Sequence, residues 1–373
     1  MLERFEQKLG IDVPTSPGLD TMACMDAAHR GEMDFALCLG GNLFGSNPDH
    51  RYAAEAMNRL TTLVHLSTTL NTGHVNGLGQ ETLILPVLPR DEEPQPTTQE
   101  SMFSYVRLSE GGPARFEGPR SEVSILAAVA ERVFPYDASP NQSKLREAAA
   151  AGDPHQPTEV QRLSGAPGAS PSHTQHTDAT GSESHRTGRI NFAELRSHAA
   201  IRQLIGELVP GYEHMLGIDA SKQEFHVTGR AVENYHFPTA TGKATFHAVP
   251  LPDNTITENE LRLMTVRSEG QFNSVVYDDE DVYRGQDRRN VILMNAADLQ
   301  RLGLQPDQQV RITSAAGELR LFHARPFDIR AGNALMYYPE ANVLVPHRVD
   351  PQSKTPGFKG VRIRVAAEAV RKS

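Results

Sequence analysis

From Leu261 onward the chain runs as short, glycine-punctuated stretches, some continuously apolar and some alternating between apolar and polar residues. Val291-Ile-Leu-Met is one and Gln309-Val-Arg-Ile-Thr-Ser another. Gly317-Glu-Leu-Arg-Leu-Phe-His-Ala, Ala334-Leu-Met-Tyr-Tyr and Gly360-Val-Arg-Ile-Arg-Val follow. Such stretches read as strands, not helices, because they are short, bounded by turn residues, and in several cases alternate with period two. Many short strands in one region would leave unpaired edges unless the sheet closes on itself. Residues 260–373 are therefore predicted to form a closed β-barrel.

The front of the chain follows a different grammar. A helix is expected from Gly18 to Glu32, with Met22, Met25, Ala28 and His29 on one face. Phe35-Ala-Leu-Cys-Leu is a continuous apolar run, as expected of a parallel strand buried on both faces. A helix from about Asp49 to Arg59 would turn Tyr52, Ala53, Ala56, Met57 and Leu60 inward. Thr62-Leu-Val-His-Leu-Ser and Glu81-Thr-Leu-Ile-Leu-Pro are two further strands, and Ser121 to Phe134 another helix with Ser121 as its cap. Strand, loop, helix, strand over residues 1–140 predicts a parallel-sheet, Rossmann-like α/β domain. The fold class expected is thus α/β plus β.

Between these parts the composition shifts. Residues 141–189 lose apolar character, and Gly, Pro, Ser and His dominate from 151 to 188. Such a stretch cannot bury enough apolar surface to offset ordering entropy, so it is read as a disordered insertion. Its histidines, His155, His173, His176 and His185, are conceivable metal ligands. Irregularly spaced histidines in a solvated linker are the simpler account. Residues 190–259 serve as a connecting segment, helical to about Val209 and extended from 224 to 249.

Bulk properties exclude several function classes. The net charge of -9 argues against non-specific nucleic-acid binding, which needs basic surface. No apolar run reaches the roughly 18 residues of a membrane-spanning helix. The first residues, Met1-Leu-Glu-Arg-Phe-Glu-Gln-Lys, lack the apolar core of a secretory signal. The two cysteines, Cys24 and Cys38, fall on apolar faces and cannot form a four-thiolate metal site. A cytoplasmic, reducing location is expected.

Candidate ligand-binding residues cluster in two places. Gly40, Gly41 and Asn42 end the first strand, and paired glycines there let backbone approach a ligand closely. In an open parallel sheet this edge holds nucleotides. Ser46 and Asp49 follow as helix caps or as partners of a ribose or base. A strand-to-helix turn that needs glycine for geometry explains the same residues. No nicotinamide-type fingerprint is in register. In the barrel, Arg267 and Lys359 can pair with pyrophosphate. Gln271, Asn273 and Asn342 can meet the edge of a heterocycle as donor and acceptor. Each of these, alone, serves equally well in a turn or surface ion pair. Arg284-Gly-Gln-Asp-Arg-Arg289 reads as a solvated basic loop before a substrate clamp. His65 and His74, flanking Asn71-Thr-Gly, read as structural.

The ordered series of these residues resembles the molybdopterin oxidoreductases. Gly40-Gly41-Asn42, Ser46 and Pro48-Asp49 resemble that family's Gly-Gly-Asn-Pro…Ser…Pro-Asp segment, with Leu43 replacing proline. Glu81-Thr-Leu-Ile-Leu-Pro86 resembles a later strand end, and Glu100 stands for the Glu of its following loop, without the Gly-Thr. Arg267 with Gln271-Phe-Asn273 resembles Arg…Gln-Trp-His-Thr. Asn295 with Asp298 is similar to Asn-Pro-x-Asp-Ala. Gly303, Asp307 and Gly317 resemble the barrel's turns, and Asn342, Asp350 and Pro356…Lys359 its closing segment. The likeness covers residues 30–134 and 190–365.

The resemblance implies a double-psi-type barrel that binds a molybdopterin guanine dinucleotide, with molybdenum or tungsten on two such pterins (Mo-bis-MGD). The departure at Glu100 points to a formate-dehydrogenase alpha-subunit-like branch. Tyr277 and Tyr283, beside the 284–289 arginines, would then lie near the cofactor funnel. The implied cofactor contacts are Gly40, Gly41, Asn42, Ser46, Asp49, Glu100, Arg267, Gln271, Asn273, Asn295, Asp298, Asn342 and Lys359. The family's metal ligand and iron–sulfur cysteines precede the region matched. The chain is therefore expected to be a C-terminal half, bind no iron–sulfur cluster, and need an N-terminal half or other subunit for activity. The alternative is a non-catalytic pterin- or nucleotide-binding module, a carrier or decayed relic.

Overall fold

The structure is a computed structural model that describes residues 1–136, 190–229, 235, 237–251 and 255–369. The 151–188 insertion and its histidines lie outside the described residues. In chain order the elements are α1 (Leu2–Leu9), α2 (Thr21–His29), β1 (Phe35–Leu39), α3 (Leu43–Ser46) and α4 (His50–Met57). Next come β2 (Thr62–Ser67), β3 (Glu81–Pro86), β4 (Thr97–Glu100), β5 (Tyr105–Ser109), α5 (Glu122–Val133), α6 (His198–Leu208), α7 (Ile218–Ser221) and β6 (Phe225–His226). The last part holds β7 (Leu261–Val266), β8 (Val291–Met294), α8 (Ala296–Arg301), β9 (Gln308–Thr313), β10 (Glu318–Pro326), β11 (Asn333–Tyr337) and β12 (Lys359–Ala367).

Contacts divide the chain into two units that do not follow the linear division expected from composition. One comprises Met1–Pro14, Gln95–Glu110 and Val123–Asn234. Here β4, β5 and β6 form a three-stranded antiparallel sheet, so residues from both sides of the insertion pair directly. Its core is Val106, Met215, Ile218, Phe225 and Val227. A buried Arg202 donates to Asp219 and to the carbonyl of Pro96 at 2.7 Å, fixing α6 in place.

The other unit comprises Thr15–Pro94, Gly111–Glu122 and Tyr235–Ser373. It contains both the parallel sheet and the barrel. The sheet has strand order β1-β2-β3, all parallel, with Leu37 opposite Val64 and Val64 opposite Leu83. Helices α2 and α4 pack on one face through Met25, Ala28, Ala53, Ala56 and Met57 against Ala36, Cys38 and Leu63. Asp20 caps α2 by accepting from the Ala23 amide at 2.9 Å, two residues inside the expected helix start. Strand β1 is not buried on both faces, as its apolar run suggested. Its side chains alternate, and Phe35, Leu37 and Leu39 are exposed. The Rossmann-like expectation thus extends, among the described residues, to three parallel strands.

The barrel closes as expected, in the order β10-β8-β11-β7-β12-β9. Strands β7 and β11 are parallel to each other, as are β8 and β10, and the remaining pairs are antiparallel. The interior is a single apolar cluster that includes Leu261, Leu263, Ile292, Met294, Val310, Ile312, Met336, Ile363 and Val365. Removing that much aliphatic surface from water is the main stabilising term. A rigid, filled barrel then holds its end loops in fixed positions.

Candidate functional site

One end of the barrel gathers most of the candidate residues. The C-terminal ends of β7 and β11 and the start of β12 meet there, because β7 and β11 are parallel and β12 is antiparallel to β7. Arg267 follows β7 and is exposed. Its Nε donates to Tyr338 Oη at 3.0 Å and its Nη2 to Asn273 Oδ1 at 3.3 Å. Lys359 stands opposite Met264 in the ladder, and its ammonium donates to the carbonyl of Thr265. Burial lowers the Lys359 pKa from its ordinary value. Two cations therefore stand at the same barrel end.

A buried arginine organises this loop. Arg289 forks onto Glu340, with Nε to Oε1 at 2.7 Å and Nη2 to Oε2 at 3.0 Å. It also donates to Ser268 Oγ at 2.8 Å and to the Tyr338 carbonyl at 2.8 Å, and its guanidinium lies 4.1 Å from the Tyr277 ring centroid. Beside it, Asp281 accepts from Tyr337 Oη at 2.7 Å and from Arg284 Nη1 at 2.6 Å. Burial works against ionisation of Asp281, yet the bonds from Tyr337 and Arg284 hold its pKa below the usual value. Arg284 and Arg289 are thus internal braces rather than members of a solvated loop. Their role had no sequence signal, since it depends on partners up to 51 residues away.

Gln271 and Asn342 are buried and serve the fold. Gln271 Oε1 accepts from the amide and hydroxyl of Ser268, while its Nε2 donates to the carbonyls of Asn273 and Tyr338. Asn342 Nδ2 donates to the carbonyl of Gly45 at 2.9 Å. Its Oδ1 is buried without a hydrogen-bond partner among the described residues. The Asp49 amide donates to the carbonyls of Asn342 and Val345 at 3.1 and 2.9 Å. The α3–α4 turn is therefore pinned to the barrel.

That pinning brings the first strand's end to the barrel loop. Gly40 and Gly41 have φ of 64° and 71°, which requires glycine, and a Cβ added to either meets nothing within 4 Å. Asn42 is consumed internally. Its Oδ1 accepts from the Gly45 amide, and its Nδ2 donates to Thr72 Oγ1 at 2.8 Å and the Ser274 carbonyl at 2.9 Å. Ser46 Oγ lies 2.5 Å from Ser274 Oγ and remains exposed. Asp49 caps α4 by accepting from the Tyr52 amide.

Three candidates do not join this group. Asn295 and Asp298 lie at the opposite end of the barrel, beside the start of β11. Asn295 caps α8 and donates to the Ile329 carbonyl; Asp298 accepts from Arg301 and from the Gly332 amide. Glu100 belongs to the other compact unit, where Tyr212 Oη donates to its carboxylate.

The exposed donors at the barrel end fit a dinucleotide ligand. Arg267 and Lys359 match a pyrophosphate, Asn273 offers an amide, and the open backbone at Gly40 and Gly41 permits close approach. A buried, unpartnered Asn342 Oδ1 adds an acceptor behind them. Among the described residues, no group of three or more His, Cys, Asp or Glu is arranged to hold a metal ion. None of the described helices is long and apolar enough to cross a membrane.

Comparison with known proteins agrees with the barrel assignment. Residues 261–362 match the Molydopterin dinucleotide binding domain. An uncharacterized oxidoreductase of Mycobacterium tuberculosis strain H37Rv is 29% identical over 391 residues, covering 99% of this chain and 43% of that relative. Protein YdeP of Escherichia coli K12 is 24% identical over 382 residues, covering 98% of this chain and 44% of its own. The chain thus spans less than half the length of the curated relatives it matches. Acetylene hydratase from Pelobacter acetylenicus shares the fold, with a TM-score of 0.57 at 12% identity over 98% of this chain and 49% of that one. The domain match supports a molybdopterin cofactor at the barrel.

Proposed function

We propose that this chain supplies cofactor-binding surface to a molybdenum-dependent oxidoreductase of formate-dehydrogenase-like type, acting on Mo-bis-MGD. The observation that carries the reading is the convergence of Arg267, Lys359 and Asn273 at one end of a barrel matched to the dinucleotide-binding domain, beside Gly40, Gly41 and Ser46. The bound group would supply two-electron chemistry at its metal. Arg267 and Lys359 neutralise pyrophosphate charge. Asn273 and Ser46 orient the heterocycle and sugar, and the glycine turn admits the ligand against bare backbone. The brace from Arg289 keeps Arg267 and Asn273 in position without a reorganisation cost on binding.

In this reading the metal's protein ligand and any iron–sulfur cluster come from another polypeptide segment. The two cysteines here do not make a four-thiolate set. The test is co-production with such a segment, followed by molybdenum analysis and release of guanine nucleotide. Guanine in stoichiometric amount, lowered by Lys359→Ala and by Arg267→Ala, supports the reading. Nucleotide without metal would instead favour a non-catalytic binding module, and no guanine at all would overturn the assignment. Formate-dependent dye reduction by the assembled protein tests the branch.

A further inference from the structure

The short helical turn Thr72–His74 stands against the glycine turn that ends β1. Its cap is reciprocal. Asn71 Oδ1 accepts from the Gly73 amide at 2.9 Å, and the Asn71 amide donates to His74 Nδ1 at 3.0 Å. Two further bonds run from this turn to the strand end. Asn71 Nδ2 donates to the Gly41 carbonyl at 3.1 Å, and Thr72 Oγ1 accepts from Asn42 Nδ2 at 2.8 Å. Gly73 is pressed on the same asparagine, since a Cβ there would come within 2.6 Å of Asn42 Oδ1. The Gly40–Gly41 turn is therefore held on one side by a cap that His74 completes.

The cap also fixes the tautomer of His74. A backbone N–H can only donate, so Nδ1 is unprotonated and Nε2 carries the ring hydrogen. Nε2 is buried without a hydrogen-bond partner among the described residues. A second proton has one place to go, Nδ1, where it would face the Asn71 N–H donor to donor. The resulting cation would also lack a counter-charge. His65 of β2 meets the ring edge to face with centroids 4.9 Å apart, and its own Nε2 is buried without a partner among the described residues. Helix α3, which packs on the turn, carries no titratable side chain. Cys38, opposite His65 in the sheet, has its thiol pKa raised by burial. Among the described residues no carboxylate acts on either ring. Burial accordingly lowers the pKa of His74.

We propose that His74 is a positioning residue and an acid-sensitive latch for the glycine turn: its neutral ring holds Asn71 against Gly41, and a second proton opens that hold. The closed turn refuses the proton, whereas the open turn accepts it near the ordinary value of 6.5. The hold is thus complete above pH 6.5 and is lost as the pH falls towards the depressed value of the closed form. The proposal rests on the preceding functional reading only for what the turn holds, the cofactor edge at Gly40 and Gly41. The latch itself stands on the geometry of the cap.

The test is amide hydrogen exchange of the full chain at pH 7 and pH 5, corrected for the intrinsic effect of pH. Protection of the Asn71 amide, and of the Gly45 amide bound to Asn42, should fall on the order of tenfold at the lower pH. His74→Gln offers a neutral acceptor at the same capping position and should keep protection at both pH values. His74→Ala should lose Asn71 protection at both, with circular dichroism at pH 7 unchanged. The ring nitrogens of the unmodified chain give a reading that needs no variant: His74 Nδ1 should gain its proton in step with the loss of Asn71 protection. Protonation with protection intact, equal loss in His74→Gln, or full protection in His74→Ala would each overturn the latch. In the co-produced assembly, guanine retained after dialysis at pH 5 should fall about tenfold in the unmodified protein and stay constant in His74→Gln. An assembly that holds no guanine at pH 7 overturns the cofactor reading, while the exchange result still decides the latch.

Discussion

Asn42 donates its side-chain amide to the backbone carbonyl of Ser274 at 2.9 Å, joining residues 232 apart in sequence. The same amide reaches Thr72, and its oxygen holds the Gly45 amide. A residue expected to face a cofactor is thus a buried junction between strand end, turn and barrel. Gly45 and Gly73 record how tight the junction is, since a Cβ at either comes within 2.6 Å of Asn42. Replacing Asn42 by Ala strands two buried polar groups, the Ser274 carbonyl and the Gly45 amide, and removes a bond to the exposed Thr72 hydroxyl. The expected loss is about 2–4 kcal/mol, at roughly 1 kcal/mol or more for each orphaned group. Urea unfolding of the variant measures it, and a loss below about 1 kcal/mol would mean that water replaces the amide at no cost.

Arg289 is the second junction. Removing it leaves Glu340 without its ion-pair partner and takes a donor from Ser268 Oγ and the Tyr338 carbonyl. Loss of one partner of a buried ion pair costs about 3–5 kcal/mol; with Glu340 only partly buried, about 2–3 kcal/mol is expected for Arg289→Ala. Arg289→Lys should recover less than half, because an ammonium cannot fork onto the carboxylate and reach Ser268 together. Denaturation midpoints of the two variants check both statements.

The two ends of the barrel should behave differently. Asn295→Ala removes a helix cap and is expected to cost about 1 kcal/mol of stability with cofactor content unchanged. Lys359→Ala and Arg267→Ala should lower cofactor affinity by about 1.5–3 kcal/mol each, roughly ten- to a hundredfold, with little change in stability. Guanine content and thermal midpoint, measured on the same preparations, separate the two effects. Equal cofactor loss in all three variants would mean that the opposite end also contacts the ligand.

Acid should weaken the fold through two histidines. His65 and His74 stack edge to face, with ring centroids 4.9 Å apart, and the Nε2 of each is buried without a partner among the described residues. Burial lowers both pKa values below 6.5, and His74 lowers that of His65 further. Below pH 6.5 the unfolded chain takes up protons that the folded chain refuses. Stability contributed by the neutral pair is thus complete above pH 6.5 and is lost as the pH falls towards the depressed folded values. His65→Gln should flatten the stability profile between pH 7 and 5, measured by urea unfolding. An unchanged slope would assign the acid sensitivity to other groups.

The base side offers a parallel case. Tyr52 donates to Asp26 at 2.7 Å, and burial followed by that bond pushes its pKa up to about 12. Its folded form stays protonated where the unfolded form ionises. Its contribution is therefore present below pH 10 and lost as the pH rises from about 10 to 12. Tyr52→Phe should remove this alkaline loss, read from thermal midpoints across that window.

Strand and helix positions were legible because they depend on local periodicity. Short apolar runs located β8 and β11, alternation located β9 and β12, and the spacing of Met22, Met25 and Ala28 located α2. The presence of a barrel followed from the number of short strands, which need closure to satisfy their edges. Residue type alone also identified the exposed pair Arg267 and Lys359, since charge is a property of the side chain wherever it stands.

Tertiary structure decided which polar residues face outward. Asn42, Gln271 and Asn342 have the chemistry to read a heterocycle, but packing gives their hydrogen bonds to Ser274, Tyr338 and Gly45. Asn295 and Asp298 look the same as the others in sequence, and only strand direction sends them to the far end of the barrel. The bare face of β1 has the same cause. An apolar run states that burial is favourable, whereas strand order and crossover handedness determine which face the chain itself can bury.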